Sequence, residues 1–301
     1  MNELDLFRDF RRGVAPPTTD ARGRASALLA AAVAGAHTTT SHRGRLVLLA
    51  AAALVAFVGS ASAFSTVRDF ILDSRDDQSV DYCIGSALRS KLISFRSADG
   101  VPLHGLLLGS GRNGIVLYGP GGNFRGSLCD WLPFGRTLAR RGYRVLTVDT
   151  RPAPPIPRAT ATHYERDVVG AERELLRRGA TRVLVGGGFV GGTAAMTAAA
   201  LIPRTVLAGV VVLSPARRFG VMDSAAAARR IAAPSFIGVG RRDSPFVDEA
   251  RRLYAASASK RKELVVVPSS GNGTQLLERS WAPASFRARL LAFIADSFKS
   301  S

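Results

Sequence analysis

From Lys91 to Lys299 the chain alternates short apolar runs with stretches of helical period, and no other feature constrains its fold as strongly. Strands are predicted at Leu92 to Arg96, Leu103 to Leu108, Gly114 to Tyr118, Arg144 to Val148, Arg182 to Val185, Gly209 to Leu213, Ser235 to Val239 and Glu263 to Val267. Amphipathic helices are predicted at Trp131 to Arg140, His163 to Arg178, Gly191 to Leu201, Ala225 to Ile231, Val247 to Ala256 and Ala284 to Phe298. A strand that must return to the same edge of a sheet through a helix runs parallel to its neighbour. The expected class is therefore α/β: a mostly parallel sheet with helices on both faces and the leading strand pair as an antiparallel edge. No insertion is long enough to form a separate cap domain.

The first 90 residues have a different texture. Leu46 to Phe64 reads LVLLAAAALVAFVGSASAF, uncharged throughout and close to the roughly 20 apolar residues that cross a bilayer. Arg43 and Arg45 precede it, and Asp69, Asp73, Asp76 and Asp77 gather after it, mixed with Arg68 and Arg75. The positive-inside rule then predicts one transmembrane helix with the N-terminus cytoplasmic and the large domain outside. The small-residue end at Ala61 to Ala63 leaves cleavage of a secretory signal, and hence secretion, as the alternative. The expected order is a tail over 1–45, the membrane helix over 46–64, a polar linker over 65–90 and the α/β domain over 91–299.

A net charge of +18 comes almost wholly from arginine, lysine occurring only at Lys91, Lys260, Lys262 and Lys299. The arginines are scattered, often as pairs such as Arg140–Arg141 and Arg217–Arg218, with no basic stripe carrying interleaved aromatics. That pattern gives solvated helix faces rather than a nucleic-acid surface. Cys83 and Cys129 are too few for a disulfide framework and wrongly spaced for a metal cluster. A single bridge outside the cytoplasm and two small core residues are both consistent with them.

Four strings at the turns carry a likeness: YGPGGN at Tyr118 to Asn123, RGYRVLTVD at Arg141 to Asp149, RVLVGGGFVGGTAA at Arg182 to Ala195 and VVVPSSGNGT at Val265 to Thr274. Together with the order of elements, they make residues 91–299 resemble the α/β-hydrolase family. In that family a serine sits on a sharp G-x-S-x-G turn between a strand and a helix, an acid follows a later strand, and a histidine follows the last. The resemblance implies a nucleophile position at Phe189, within Gly187-Gly188-Phe189-Val190-Gly191, or at Gly188 in the neighbouring frame. Neither side chain offers an attacking atom. The glycines are expected to persist because the turn needs positive φ and close strand–helix approach.

The same resemblance puts the acid at Asp243 and the histidine at Asn272, whose amide has no basic nitrogen. Asp243 is then left to pair with Arg241 or Arg242, or to cap the helix near Val247. The oxyanion loop falls on Tyr118, Gly119 and Pro120, with Val190 after the nucleophile position as the second donor. Pro120 has no N–H to give. None of the chain's histidines, His37, His42, His104 and His163, stands where the family places its base. Relocation would move the base to His163; Ser127, Cys129 and Ser270 are the candidate substitute nucleophiles, and none has an evident partner base.

Losing nucleophile and base together removes most of what a triad supplies. The expected function is therefore a ligand-binding or interaction module of the cell envelope, with a small-molecule or acyl ligand in a crevice bounded by Tyr118, Phe189 and Asn272, and with no metal or cofactor. Two alternatives remain: an active esterase-type hydrolase with a relocated residue, and a dinucleotide-binding protein. The second rests on Gly186, Gly188 and Gly191 as G-x-G-x-x-G. It lacks the acidic residue that such a site needs about 20 positions on, since Leu175 to Met222 contains no Asp or Glu.

Overall fold

The computed structural model describes residues 83–119, 128–151 and 163–299. The tail 1–45, the apolar run 46–64 and most of the linker 65–90 lie outside the described residues, as do Pro120 and Ser127. Among the described residues no helix is long and apolar enough to cross a membrane.

Eight strands form the main sheet: β1 (Leu92–Arg96), β2 (Pro102–Leu108), β3 (Asn113–Tyr118), β4 (Arg144–Val148), β5 (Arg182–Gly188), β6 (Leu207–Leu213), β9 (Ser235–Gly240) and β10 (Lys262–Val267). Their spatial order is β1-β2-β4-β3-β5-β6-β9-β10. β2 runs antiparallel to both neighbours, and the other pairings are parallel. A second, two-stranded ribbon, β7 (Arg218–Phe219) with β8 (Met222–Asp223), follows β6 and was not foreseen from sequence.

The parallel strands are apolar almost without interruption because both faces are covered. All seven residues of β6 and all six of β9 are buried. On one face lie α3 (Glu165–Arg177), α4 (Val190–Ala199), α5 (Ser224–Ala228) and α6 (Phe246–Ala256), packed through Val168, Leu175, Ala194, Ala195, Ala228 and Leu253. On the other lie α2 (Leu128–Arg140) and α7 (Ala284–Lys299), packed through Trp131, Phe134, Leu138, Phe286, Leu290 and Phe293.

The folded region starts earlier than the sequence suggests. Ile84 is 4% exposed and belongs to the same core as α2 and α7; a short helix, α1 (Ser86–Arg89), follows it. Cys83 and Cys129 form a disulfide with a Cα–Cα separation of 5.7 Å, which resolves the two readings of the cysteines. The expected linker over 65–90 therefore needs correcting at its C-terminal end. A lone apolar residue beside a cysteine shows no periodicity from which burial could be read.

The chain leaves β3 towards β4 on one side and returns to β5 on the other. At such a reversal the connections diverge and leave a crevice outside the carboxyl ends of the strands. Tyr118 and Gly187 are paired residues at those ends.

Candidate functional site

The turn from β5 into α4 lies at the carboxyl ends of the strands. Phe189 caps α4 with φ 52° and ψ −124°, a conformation that L side chains rarely adopt. Its N–H donates to the Leu213 carbonyl at 2.8 Å, and its own carbonyl accepts from the Gly192 and Thr193 N–H groups at 2.9 and 3.2 Å. Bonds on both sides of the residue hold the strained backbone in place.

Positive φ, expected at the glycines of this turn, falls instead on the phenylalanine. Among the glycines near it, only Gly119 has positive φ; within the turn itself, Phe189 carries it. Gly187 and Gly191 serve close approach instead. A Cβ on Gly187 would lie 2.1 Å from the Gly191 carbonyl oxygen, and one on Gly191 would lie 2.4 Å from that of Tyr118. The start of α4 thus rests directly on the ends of β3 and β5. This packing gives Gly187 and Gly191 a structural role of their own.

The Phe189 ring is 7% exposed and meets Phe246 edge to face, with centroids 5.0 Å apart. It occupies space at the strand ends rather than standing free to stack a ligand. Val190, half-buried, opens α4 directly after it.

Asp243 follows β9 and Asn272 follows β10, and the two side chains meet across the loop ends. Asn272 Nδ2 donates to both carboxylate oxygens of Asp243, at 3.1 and 3.3 Å. The Ser214 hydroxyl also bonds to Asp243, and its oxygen accepts from the Gly273 N–H at 3.0 Å. Asn272 N–H donates to Gln275 Oε1 at 2.9 Å, fixing the loop. Burial pushes the Asp243 carboxyl above the ordinary aspartate range, against the pull of the bonds from Ser214 and Asn272. The expected partners Arg241 and Arg242 are exposed and make no ion pair with Asp243 among the described residues. Nor does its side chain cap α6, whose N-cap, Pro245, has no side-chain bond.

With its amide hydrogens turned to Asp243, the Asn272 side chain also closes a capping box with Gln275 at the start of the following turn. An amide oxygen held this way accepts a hydrogen bond but takes up no proton near neutral pH. The arrangement therefore cannot act as a general base.

Tyr118 does not border an open crevice as expected. It is 1% exposed, and its hydroxyl donates to Asp167 Oδ2 at 2.6 Å. Arg151 joins Asp167 and Asp99: Nε lies 2.8 Å from Asp167 Oδ1, and Nη1 and Nη2 lie 3.0 and 2.8 Å from the two Asp99 oxygens. Arg151 holds the Asp99 carboxyl well below its ordinary range, whereas burial pushes Asp167 upward. Residues 118 and 167 lie in β3 and α3, residues 99 and 151 in the loops after β1 and β4, and no sequence signal joins them. Trp131 Nε1 donates to the Gly119 carbonyl at 3.0 Å, tying α2 to the same strand end.

The residues held in reserve for a relocated chemistry are dispersed. Cys129 is consumed by the disulfide. His104 Nδ1 lies 3.1 Å from Ser94 Oγ on the edge hairpin. His163 Nδ1 lies 2.6 Å from Glu165 Oε1, an acid–base pair with no serine or cysteine bonded to it among the described residues. Ser270 is exposed.

Solved structures with a similar fold include enzymes. An esterase from Pyrococcus furiosus superposes with a TM-score of 0.54 at 16% identity, over 68% of this chain and 90% of that one. The enol-lactonase from Burkholderia xenovorans gives 0.53 at 17% identity, over 67% and 99%. A metagenome-derived lipolytic enzyme gives 0.52 at 21%, over 64% and 97%. The chain has the α/β-hydrolase fold. No protein-family model matches it, and no curated protein is similar to it in sequence.

Proposed function

We propose that this chain is a membrane-anchored protein of the cell envelope that retains the α/β-hydrolase scaffold but not serine-hydrolase chemistry. Its crevice serves as a ligand-binding or interaction site. Phe189 stands in the nucleophile position, Asn272 in that of the base, and Asp243 in that of the acid. One observation carries this reading: Phe189 holds φ 52° at the apex of the strand-to-helix turn while Asn272 and Asp243 remain hydrogen-bonded beyond the last two strands. A backbone strained by roughly 1–3 kcal/mol at an ordinary phenylalanine is what remains when a nucleophile's turn outlives its nucleophile. The ligand expected at the strand ends is a small or acyl molecule.

Anchoring through residues 46–64, with the N-terminus cytoplasmic and the folded domain outside, completes the proposal. The Cys83–Cys129 disulfide supports the outside placement, since such bonds persist in oxidising compartments. A second reading, hydrolysis through a relocated base, draws on the His163–Glu165 pair and on the esterases that share the fold.

Turnover of short p-nitrophenyl esters by the purified full chain separates the two. The rate is expected to equal the buffer rate, and saturable turnover abolished by His163→Ala would establish the second reading instead. Orientation is tested by labelling single cysteines placed on either side of 46–64 in intact cells. A folded domain labelled only after cytoplasmic access would overturn the outside placement.

A further inference from the structure

On the face opposite α3 and α4, a groove of about 450 Å³ runs between α2 and α7, with the turn after Asn272 as its floor. That volume lies in the range of roughly 300–1,000 Å³ typical of small-molecule sites. Its floor is apolar: Leu276 and Leu277 are 1% and 8% exposed, and Leu291 is half-buried against the core. Ala288, an exposed residue of α7, forms part of its wall.

The rim is cationic. Arg141 at the end of α2, Arg279 in the loop before α7 and Arg287 on α7 all border the groove, against one acid, Glu278. Arg141 and Arg279 are exposed, and none of the three arginines forms an ion pair among the described residues. Arg287 reaches across the groove, donating to Thr137 Oγ1 at 2.6 Å and lying 5.6 Å from the centre of the Phe134 ring. Elsewhere on the surface many arginines are neutralised locally, as Arg177 and Arg178 are by Glu174. Three guanidinium groups without an ion pair among the described residues, set around an apolar floor, complement a molecule that is greasy at one end and anionic at the other.

We propose that this groove binds an anionic phospholipid, with an acyl chain along Leu276, Leu277 and Leu291 and the headgroup phosphate at Arg141 and Arg279. Arg287 forms the bridge between the two, its stem on apolar surface and its head at the phosphate. The site is separate from the crevice at Phe189 and does not depend on the reading of that crevice.

The test is photolabelling of the full chain in neutral detergent micelles doped with phosphatidylglycerol carrying a photoactivatable acyl chain. Adducts are mapped by peptide mass spectrometry. They are expected within 137–141 and 276–295, and are expected to fall at least about fivefold in the paired charge variant Arg141→Gln with Arg279→Gln and in the groove-filling variant Ala288→Trp, each with an unchanged thermal midpoint. Micelles do not require 46–64 to insert, so the result is independent of the anchoring reading. Adducts spread evenly over the surface, equal labelling by the phosphatidylcholine analogue or by a photoactivatable free fatty acid, or full labelling of both variants would each overturn the proposal.

Discussion

Replacing Phe189 by alanine and by glycine should give stabilities in an unusual order. The ring is 7% exposed and packs edge to face on Phe246, so its removal leaves a cavity and should cost about 3–5 kcal/mol in either variant. At most positions glycine would then be the worse of the two by roughly 0.5–1 kcal/mol, because it loses more backbone freedom on folding. At φ 52° and ψ −124° the alanine Cβ keeps a strain of about 1–3 kcal/mol that glycine does not have. Set against that entropy term, the balance leaves Phe189→Gly more stable than Phe189→Ala by about 1 kcal/mol. Urea unfolding of the full chain, followed by tryptophan fluorescence and far-ultraviolet circular dichroism, reads the difference as a shift in midpoint at constant slope. A Phe189→Ala variant as stable as Phe189→Gly, or more so, would mean that the turn is not strained at this residue.

Other perturbations follow from the same structure. Replacing both Cys83 and Cys129 by serine opens a loop spanning 46 residues and should destabilise the fold by about 4 kcal/mol on chain-entropy grounds, measured by the same unfolding assay. Truncating Arg151 to alanine strands Asp167 in the core beneath Tyr118, at an expected cost of about 3–5 kcal/mol; Asp167→Asn in that background should recover part of it. Asp243 has a folded value above its unfolded one, so the unfolded chain ionises first as pH rises. Its contribution to stability is therefore full at acid pH, declines from about pH 4 upward, and levels off above the raised value. The thermal midpoint of Asp243→Asn should accordingly gain on the unsubstituted chain across that window, and a constant gap between the two would contradict the upward shift.

Most of the sheet is legible in the sequence because parallel strands buried on both faces must be apolar runs. β1 and β4 coincide with their predicted bounds, and the others differ by a few residues. β5 runs on to Gly188, beyond the predicted end at Val185, because the glycines that look like a turn are still paired with β3 and β6. The positions of Phe189, Asp243 and Asn272 at strand ends could be read from the order of elements, but the partners of Asp243 could not. Arg241 and Arg242 are adjacent in sequence yet turn to solvent, whereas Ser214 arrives from the end of β6. The Arg151 cluster and the α2–α7 groove escaped for the same reason: their residues converge only after the helices have packed, and no local period marks them.

The central claim is that the crevice holds no activated nucleophile, and intact-mass analysis after exposure to a fluorophosphonate probe tests it most directly. The full chain should keep its unmodified mass, while the Phe189→Ser, Asn272→His double variant, with Asp243 already bonded to position 272, should gain one adduct. A stoichiometric adduct on the unsubstituted chain, mapped to any serine at the strand ends, would contradict the claim.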